Sequence, residues 1–259
     1  MLHRSLGGNI KTLTIKKNRA GQYYAYFSSD IIEKKEPAPE DSEVGIDLGC
    51  NKFVQFSDGD SINKPQFLLD ILHKITKLQR QVSKKKKGSS NRRKAIHKLN
   101  RGWQYYDDSK MDFLHQQAAN ITADYRTIAV EDLDVRNMLV KQAPRSLHRN
   151  ISDASWNKFV MLLEEKAVIR SGNIKKVDPR NTSKDCSWCG ETVPKQLSDR
   201  VHNCPSCGLK IDRDLNAAIN IAHRAGLARI YACGDTTSTA GSIPAASLVV
   251  EARTITRAA

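Results

Sequence analysis

Apolar and polar residues alternate from Gly7 to Ser28, with Ile10, Thr12 and Thr14 on one side of a polar Asn18-Arg19-Ala20-Gly21 segment and Tyr24 and Tyr26 on the other. This period of two predicts a β-hairpin. A two-stranded hairpin is marginal alone, so it either packs on the following domain or ends a larger β-module. Glu33–Glu43 is charged, contains proline and has no apolar period, which marks a boundary. Val44–Ser57 reads as a buried strand, a tight turn at Gly49–Asn51 and a second strand, and Pro65–Tyr125 as two long antiparallel helices broken at KKKKGSSN, Lys84–Asn91. Thr127–Val135 is a short apolar strand running into acids, with a helix expected near Val135. Asp153–Ile169 carries Trp156, Phe159, Val160 and Leu163 at helical spacing, which makes Trp156 a core residue and Ser152 or Asp153 the N-cap. Ile174–Val177 suggests a further strand, and LNAAINIA from Leu215 a helix. Lys141–Asn150 is polar and basic, and the Ala-, Ser- and Thr-rich stretch after Gly226 predicts a disordered tail.

Two kinds of metal chemistry lie on this frame. Cys186 and Cys189 form one CxxC and Cys204 and Cys207 a second, fourteen residues apart, each followed by a glycine, Gly190 and Gly208, that permits a tight turn. Four thiolates so spaced close a tetrahedral shell around one Zn²⁺, a full and therefore structural site. Acidic residues sit where elements end. Asp47 interrupts the apolar run of a buried strand and is either a ligand or an edge residue. Glu131 falls where its strand leaves the sheet, the place where open α/β sheets put ligand-binding side chains, whereas Asp132 and Asp134 equally suit a helix cap. Asp212 and Asp214 open the last helix, and a hard divalent cation suits them. A strand carrying one acid, a later strand ending in a second and a helix opening with a third is the plan of an RNase H-like nuclease. There two divalent ions about 4 Å apart share the carboxylates.

The formal charge of +14 over 259 residues points to a polyanionic partner. With no basic amphipathic membrane helix and no spanning run, nucleic acid suits it better than lipid. The N-terminus has no apolar core of a signal peptide, so a reducing compartment is expected, with Cys50 and Cys233 as ordinary thiols. The basic tip, Lys84, Lys85, Lys86, Lys87, Arg92, Arg93 and Lys94, is either a solvated loop or a phosphate contact.

GIDLG from Gly45, VEDL from Val130, VDPRNTSKDCSWCG from Val177, CPSCG from Cys204 and DRDLNAAINI from Asp212 together resemble the TnpB family of transposon-encoded RNA-guided DNA nucleases, related to type V CRISPR effectors. GSSNRRK and DASWNKF also fit, while Gln116 and Glu165 depart from the pattern. The resemblance implies an α/β, RNase H-like (RuvC) domain with an inserted helical hairpin and a zinc ribbon, preceded by a partial wedge-like β-module. The boundaries are 1–40 for that module, 41–180 and 211–226 for the nuclease domain, 181–210 for the ribbon and 227–259 for the tail. It further implies Asp47, Glu131 and Asp214 as catalytic carboxylates, Asp214 being preferred to Asp212, and two catalytic Mg²⁺ ions, for which Mn²⁺ can substitute, beside the structural zinc. Guide RNA and target DNA are the implied partners, in a prokaryotic cytoplasm, with a longer relative or a second copy of the chain as further candidates, since the chain begins at the last part of the β-module. The competing expectation is a non-cleaving RNA- or DNA-binding subunit. A transposase is disfavoured because no histidine pair and tyrosine nucleophile can be placed together.

Overall fold

The computed structural model describes residues 8–30, 34–49, 52–133, 155–196 and 198–227. The helix expected near Val135, the basic stretch to Asn150, the caps Ser152 and Asp153, Cys50, Cys233 and the tail beyond Leu227 lie outside them. The chain divides into two compact units, one running to Lys35 and adding Pro65–Gln117, the other joining Glu36–Lys64 to the chain from Ala118 onward. Among the described residues no helix is long and apolar enough to cross a membrane.

In the first unit β1 (Ile10–Lys17) and β2 (Tyr23–Ser29) form the antiparallel hairpin. Its turn closes because Asn18 Oδ1 accepts from Gln22 N at 2.9 Å, and the same turn is anchored to a helix. Asn18 Nδ2 donates to Gln104 Oε1 at 3.0 Å, and Asn100 Nδ2 to Arg19 O at 3.2 Å. The strands themselves keep Ile10, Leu13, Ile15, Tyr23 and Tyr26 exposed. Helices α1 (Gln66–Ser83) and α2 (Ser90–Asp124) run antiparallel. Gly102 faces Ile75 and Leu78, a close approach that a larger residue would obstruct, and Leu68, Ile71, Ile75 and Tyr106 form their shared core. At the tip between them Arg92 Nη1 donates to Val82 O at 2.7 Å and Lys85 O at 3.3 Å. It gives Val82 O a second donor beside Lys85 N, at 3.2 Å, and so ties the start of α2 to the end of α1. Lys84–Lys87, Arg93 and Lys94 are exposed.

The second unit is built on a five-stranded sheet of order β5-β4-β3-β6-β7, comprising β3 (Glu43–Leu48), β4 (Lys52–Phe56), β5 (Ser61–Asn63), β6 (Thr127–Glu131) and β7 (Asn173–Val177). The first three strands meander antiparallel, while β3, β6 and β7 run parallel. Val44, Ile46, Ile128 and Val130 are fully buried, as strands covered on both faces require. Helix α3 (Trp156–Ile169) lies beside β7, with Glu164 and Lys176 paired at 2.8 Å. It starts from Ser155 in the left-handed region, without a side-chain cap. Trp156 is buried.

The last helix among the described residues, α4 (Arg213–Arg224), crosses the face of the sheet that carries Gly45. Ala129, Val177, Ile221, Ala222 and Leu227 form one buried cluster, and register places Gly45 beside Ala129 on that face. A Cβ added at Gly45 would lie 2.4 Å from Ala218 O and 2.6 Å from Ala222 N. Strand and helix backbones therefore touch, which explains both this glycine and the small residues Ala218 and Ala222.

Those contacts are backbone and cannot swing away. Gly45→Ala should destabilise the second unit by about 2 kcal/mol or more, the upper range for overpacking. Urea unfolding measures this directly, and a loss below about 0.5 kcal/mol would show that the helix can slide.

Candidate active site and metal centre

Asp47 and Glu131 reach the same place by register. The parallel pairing of β3 with β6 runs from Glu43 opposite Thr127 to Ile46 opposite Val130, and one step further sets Asp47 beside Glu131 at the carboxyl ends of both strands. Adjacent strands are about 4.8 Å apart, so the two acids are neighbours on one face. It is the face that α4 crosses. Asp214 lies one turn before Ala218 and two before Ala222, the residues seated on Gly45, while Asp47 lies two residues beyond Gly45. The helix contact therefore sets Asp214 toward Asp47.

Electrostatics records this proximity. The Asp47 carboxyl is held well above the usual carboxylate range by burial first, then by repulsion from Glu131 and Asp214, with Arg213 opposing. Burial also raises Glu131, against the Thr182 hydroxyl and the charge of Arg224. Thr182 is buried, and its Oγ1 donates to Glu131 Oε1 at 2.5 Å. A cleft of about 320 Å³, lined by Leu133, Trp156, Val160 and Met161, opens beside Glu131 and Asp132.

Asp212 does different work from Asp214. Its Oδ1 accepts from Asp214 N at 2.8 Å and Leu215 N at 3.2 Å, an N-cap, and its Oδ2 pairs with Lys52 Nζ at 3.3 Å. Both oxygens are engaged. Asp214, in the first turn where the helix dipole favours negative charge, meets Arg213 Nη2 at 3.2 Å. Lys52 also donates to Gln55 Oε1 at 2.8 Å, and Gln55 stands opposite Asp47 in the sheet.

The cysteines make a separate centre. Cys186, Cys189, Cys204 and Cys207 are free thiols whose sulfur atoms all lie within 4.8 Å of one another. Cys186–Cys207 and Cys189–Cys204 are both 3.6 Å apart. Four sulfurs at about 2.3 Å from a tetrahedral ion stand about 3.8 Å apart, so the set fits zinc. Two matching turns shape it. Cys186 N donates to Glu191 O at 2.8 Å and Gly190 N to Cys186 O at 2.9 Å, and Cys204 N to Leu209 O and Gly208 N to Cys204 O both at 2.9 Å. Gly190 and Gly208 take φ of 79° and 77°, left-handed values that suit glycine. The short hairpin of β8 (Val201–Asn203) and β9 (Lys210–Asp212) then delivers the chain into α4.

What sequence reading missed is the bracing between the two centres. Asn220 Nδ2 donates to Thr182 O at 2.8 Å and Asp185 O at 2.7 Å, and Asn216 Nδ2 to Asp185 O at 2.8 Å, while Asn216 Oδ1 accepts from Ser187 N at 3.0 Å. Arg224 Nη1 adds bonds to Asp178 O at 2.8 Å and Arg180 O at 2.6 Å. The signal was present in two asparagines four residues apart on an apolar helix face, which must find buried partners.

Comparison with known proteins places these features in a family. Residues 26–142 match a model described as "Probable transposase", and residues 156–221 one described as "Cas12f1-like, TNB domain". A Streptomyces pristinaespiralis protein named "Putative RNA-guided DNA endonuclease" is 37% identical over 88% of the chain. The chain belongs to the TnpB family. The Escherichia coli relative "Putative RNA-guided DNA endonuclease InsQ" is 31% identical over 90% of the chain. The chain spans 56% and 60% of the length of these two relatives. In fold it resembles the protein of a Cas12f1-sgRNA-target DNA complex, with a TM-score of 0.51 and 20% identity over 81% of this chain and 55% of that one. As a TnpB-family chain it thus has the mixed α/β fold of Cas12 effectors.

One zinc per chain is expected in protein purified without chelator, with Cys204→Ser lowering the content and loosening the Thr182–Ser187 segment. Elemental analysis below about 0.2 zinc per chain would contradict the thiolate shell.

Proposed function

We propose that the chain is the DNA-cutting part of an RNA-guided endonuclease, an RNase H-like (RuvC) domain in which Asp47, Glu131 and Asp214 together hold divalent cations. The observation that carries this reading is the placement of Asp47 and Glu131 in register on adjacent parallel strands, with α4 laying Asp214 onto the same face. The residues fit the group. Carboxylates on one face, of which Asp47 is raised by burial and by the charges of Glu131 and Asp214, free of histidine and thiol, are chemistry for Mg²⁺ or Mn²⁺. A pair of such ions supplies an activated water and stabilises the leaving oxygen of a phosphodiester. The chain's own residues do the rest. Asp47 and Glu131 hold the cations from the rigid sheet, Asp214 closes the site from the helix, and Thr182 fixes the rotamer of Glu131.

Asp212 is assigned to the helix cap, not to the cations. The cysteine centre is assigned as a structural zinc ribbon, since four sulfurs leave no open position. Guide RNA and target DNA are the proposed partners, a reading that the names of the relatives and the net charge support. Lys84, Lys85, Lys86, Lys87, Arg93 and Lys94 are the proposed phosphate contacts at the helical tip, whereas Arg92 is engaged with the end of α1.

Each of Asp47→Ala, Glu131→Ala and Asp214→Ala should lower DNA cleavage by about a thousandfold or more, and double replacements should cost little beyond single ones because the acids act as a unit. Asp212→Ala should instead cost about 1 kcal/mol of stability, the worth of a cap, and keep most of the cleavage. Cleavage is measured with magnesium, guide RNA and target DNA, with a longer relative supplied where needed. Full activity in Asp214→Ala, or its loss in Asp212→Ala alone, would overturn the assignment. If wild type binds RNA and DNA but never cuts, the chain is a binding subunit.

Replacing the six exposed tip cations by Gln should flatten the salt dependence of nucleic-acid binding, by about 0.7–0.9 in log-log slope for each phosphate no longer neutralised. An unchanged slope would make the tip a plain solvated loop.

A further inference from the structure

Arg213 stands at an unexpected position. It is the first residue of α4, where the helix dipole disfavours a cation, and neighbouring side chains in a helix do not face each other. Yet its guanidinium folds back onto Asp214, with Nε 3.3 Å and Nη2 3.2 Å from the same Oδ1. Both side chains are largely buried, at 16% and 17% exposure. Helix preference does not account for this contact. The acidic cluster does, because Asp47, Glu131, Asp212 and Asp214 carry four formal negative charges against the three positive charges of Lys52, Arg213 and Arg224. Among the described residues the carboxylates do not draw together as the four sulfurs do.

We propose that Arg213 is a built-in counter-ion of the carboxylate site, giving up Asp214 when divalent cations bind there and turning to the phosphodiester of the strand to be cut. The proposal rests on the reading of Asp47, Glu131 and Asp214 as cation ligands. The charge count gives the direction. With two cations bound the formal charge of the cluster moves from −1 to +3, so the guanidinium changes from a needed partner of Asp214 into excess positive charge. An incoming phosphodiester anion is the natural acceptor for its planar fork of donors. Arg213 thus keeps the buried acids compatible with folding before cations arrive, and afterwards helps to position the strand.

The test measures Mn²⁺ binding to the zinc-loaded chain by electron paramagnetic resonance, for wild type, Arg213→Gln, Arg213→Lys and Asp214→Ala. Zinc content and circular dichroism serve as the check on folding. Arg213→Gln should bind Mn²⁺ about tenfold more tightly than wild type, a difference of about 1.4 kcal/mol, because it removes the competitor for Asp214. Arg213→Lys, which keeps the charge, should stay within about threefold. Binding of a single-stranded DNA oligonucleotide gives the second readout. Adding Ca²⁺ should strengthen it in wild type, and Arg213→Gln should lose that gain while matching wild type without the ion. A residue that merely braced the helix would not tighten metal binding. Unchanged Mn²⁺ affinity in Arg213→Gln, with binding lost in Asp214→Ala, would overturn the counter-ion and leave the cation site standing. Absence of specific Mn²⁺ binding in wild type would overturn the cation site itself, and the inference with it.

Discussion

The second unit depends on one contact, the meeting of the Gly45 backbone with Ala218 and Ala222. A helix normally stands off a sheet by the thickness of its side chains. Here there are none between the backbones, because a Cβ at Gly45 would fall 2.4 Å from a carbonyl oxygen of α4. Such proximity fixes the helix along and across the strand more tightly than an apolar interface of long, adaptable side chains would. Everything proposed for the acids follows from it. Asp47 and Glu131 are fixed by strand register alone, but Asp214 belongs to an element about eighty residues later and has no register to hold it. The glycine–alanine contact takes the place of register.

The same helix carries the second constraint. Its apolar face is interrupted by Asn216 and Asn220, both buried, which hold the carbonyls of Thr182 and Asp185. This segment leads into the first cysteine turn and also supplies the hydroxyl that meets Glu131. The thiolate centre and the carboxylates are thus mechanically joined through α4. An ion held by the four sulfurs would order the cysteine turns and, through these bonds, Thr182 and the rotamer of Glu131. The cysteine module, inserted in the chain between β7 and α4, would otherwise separate them. The hydrogen bonds of two asparagines turn it into a brace.

The sequence announced the carriers of the acids because each rests on a local signal: an acid breaking an apolar strand, an acid at a strand end, acids before a helical run. The two CxxC turns were equally local, and their glycines adopt the left-handed conformations that the turns require. What could not be read involves partners distant in the chain. Gly45 carried no signal beyond its place in a buried strand until the alanines opposite it were known. Asp212 and Asp214 have the same chemistry two residues apart, and only the cap bonds to Asp214 N and Leu215 N separate their tasks. Arg92 looked like its basic neighbours, yet its guanidinium reaches back to Val82 O and Lys85 O, partners that only the antiparallel return of α2 brings near. α3 starts at Ser155, a residue type suited to capping, yet its left-handed backbone leaves the side chain without a capping hydrogen bond, which composition does not reveal.

The most direct measurement is anomalous diffraction from crystals of the zinc-loaded chain soaked in Mn²⁺, with data collected at the manganese and zinc edges. The account predicts manganese peaks about 4 Å apart among Asp47, Glu131 and Asp214, with Arg213 moved off Asp214. It also predicts a zinc peak at the centre of the four sulfurs. Manganese held by Asp212, or no manganese peak on the face that α4 crosses, would contradict it.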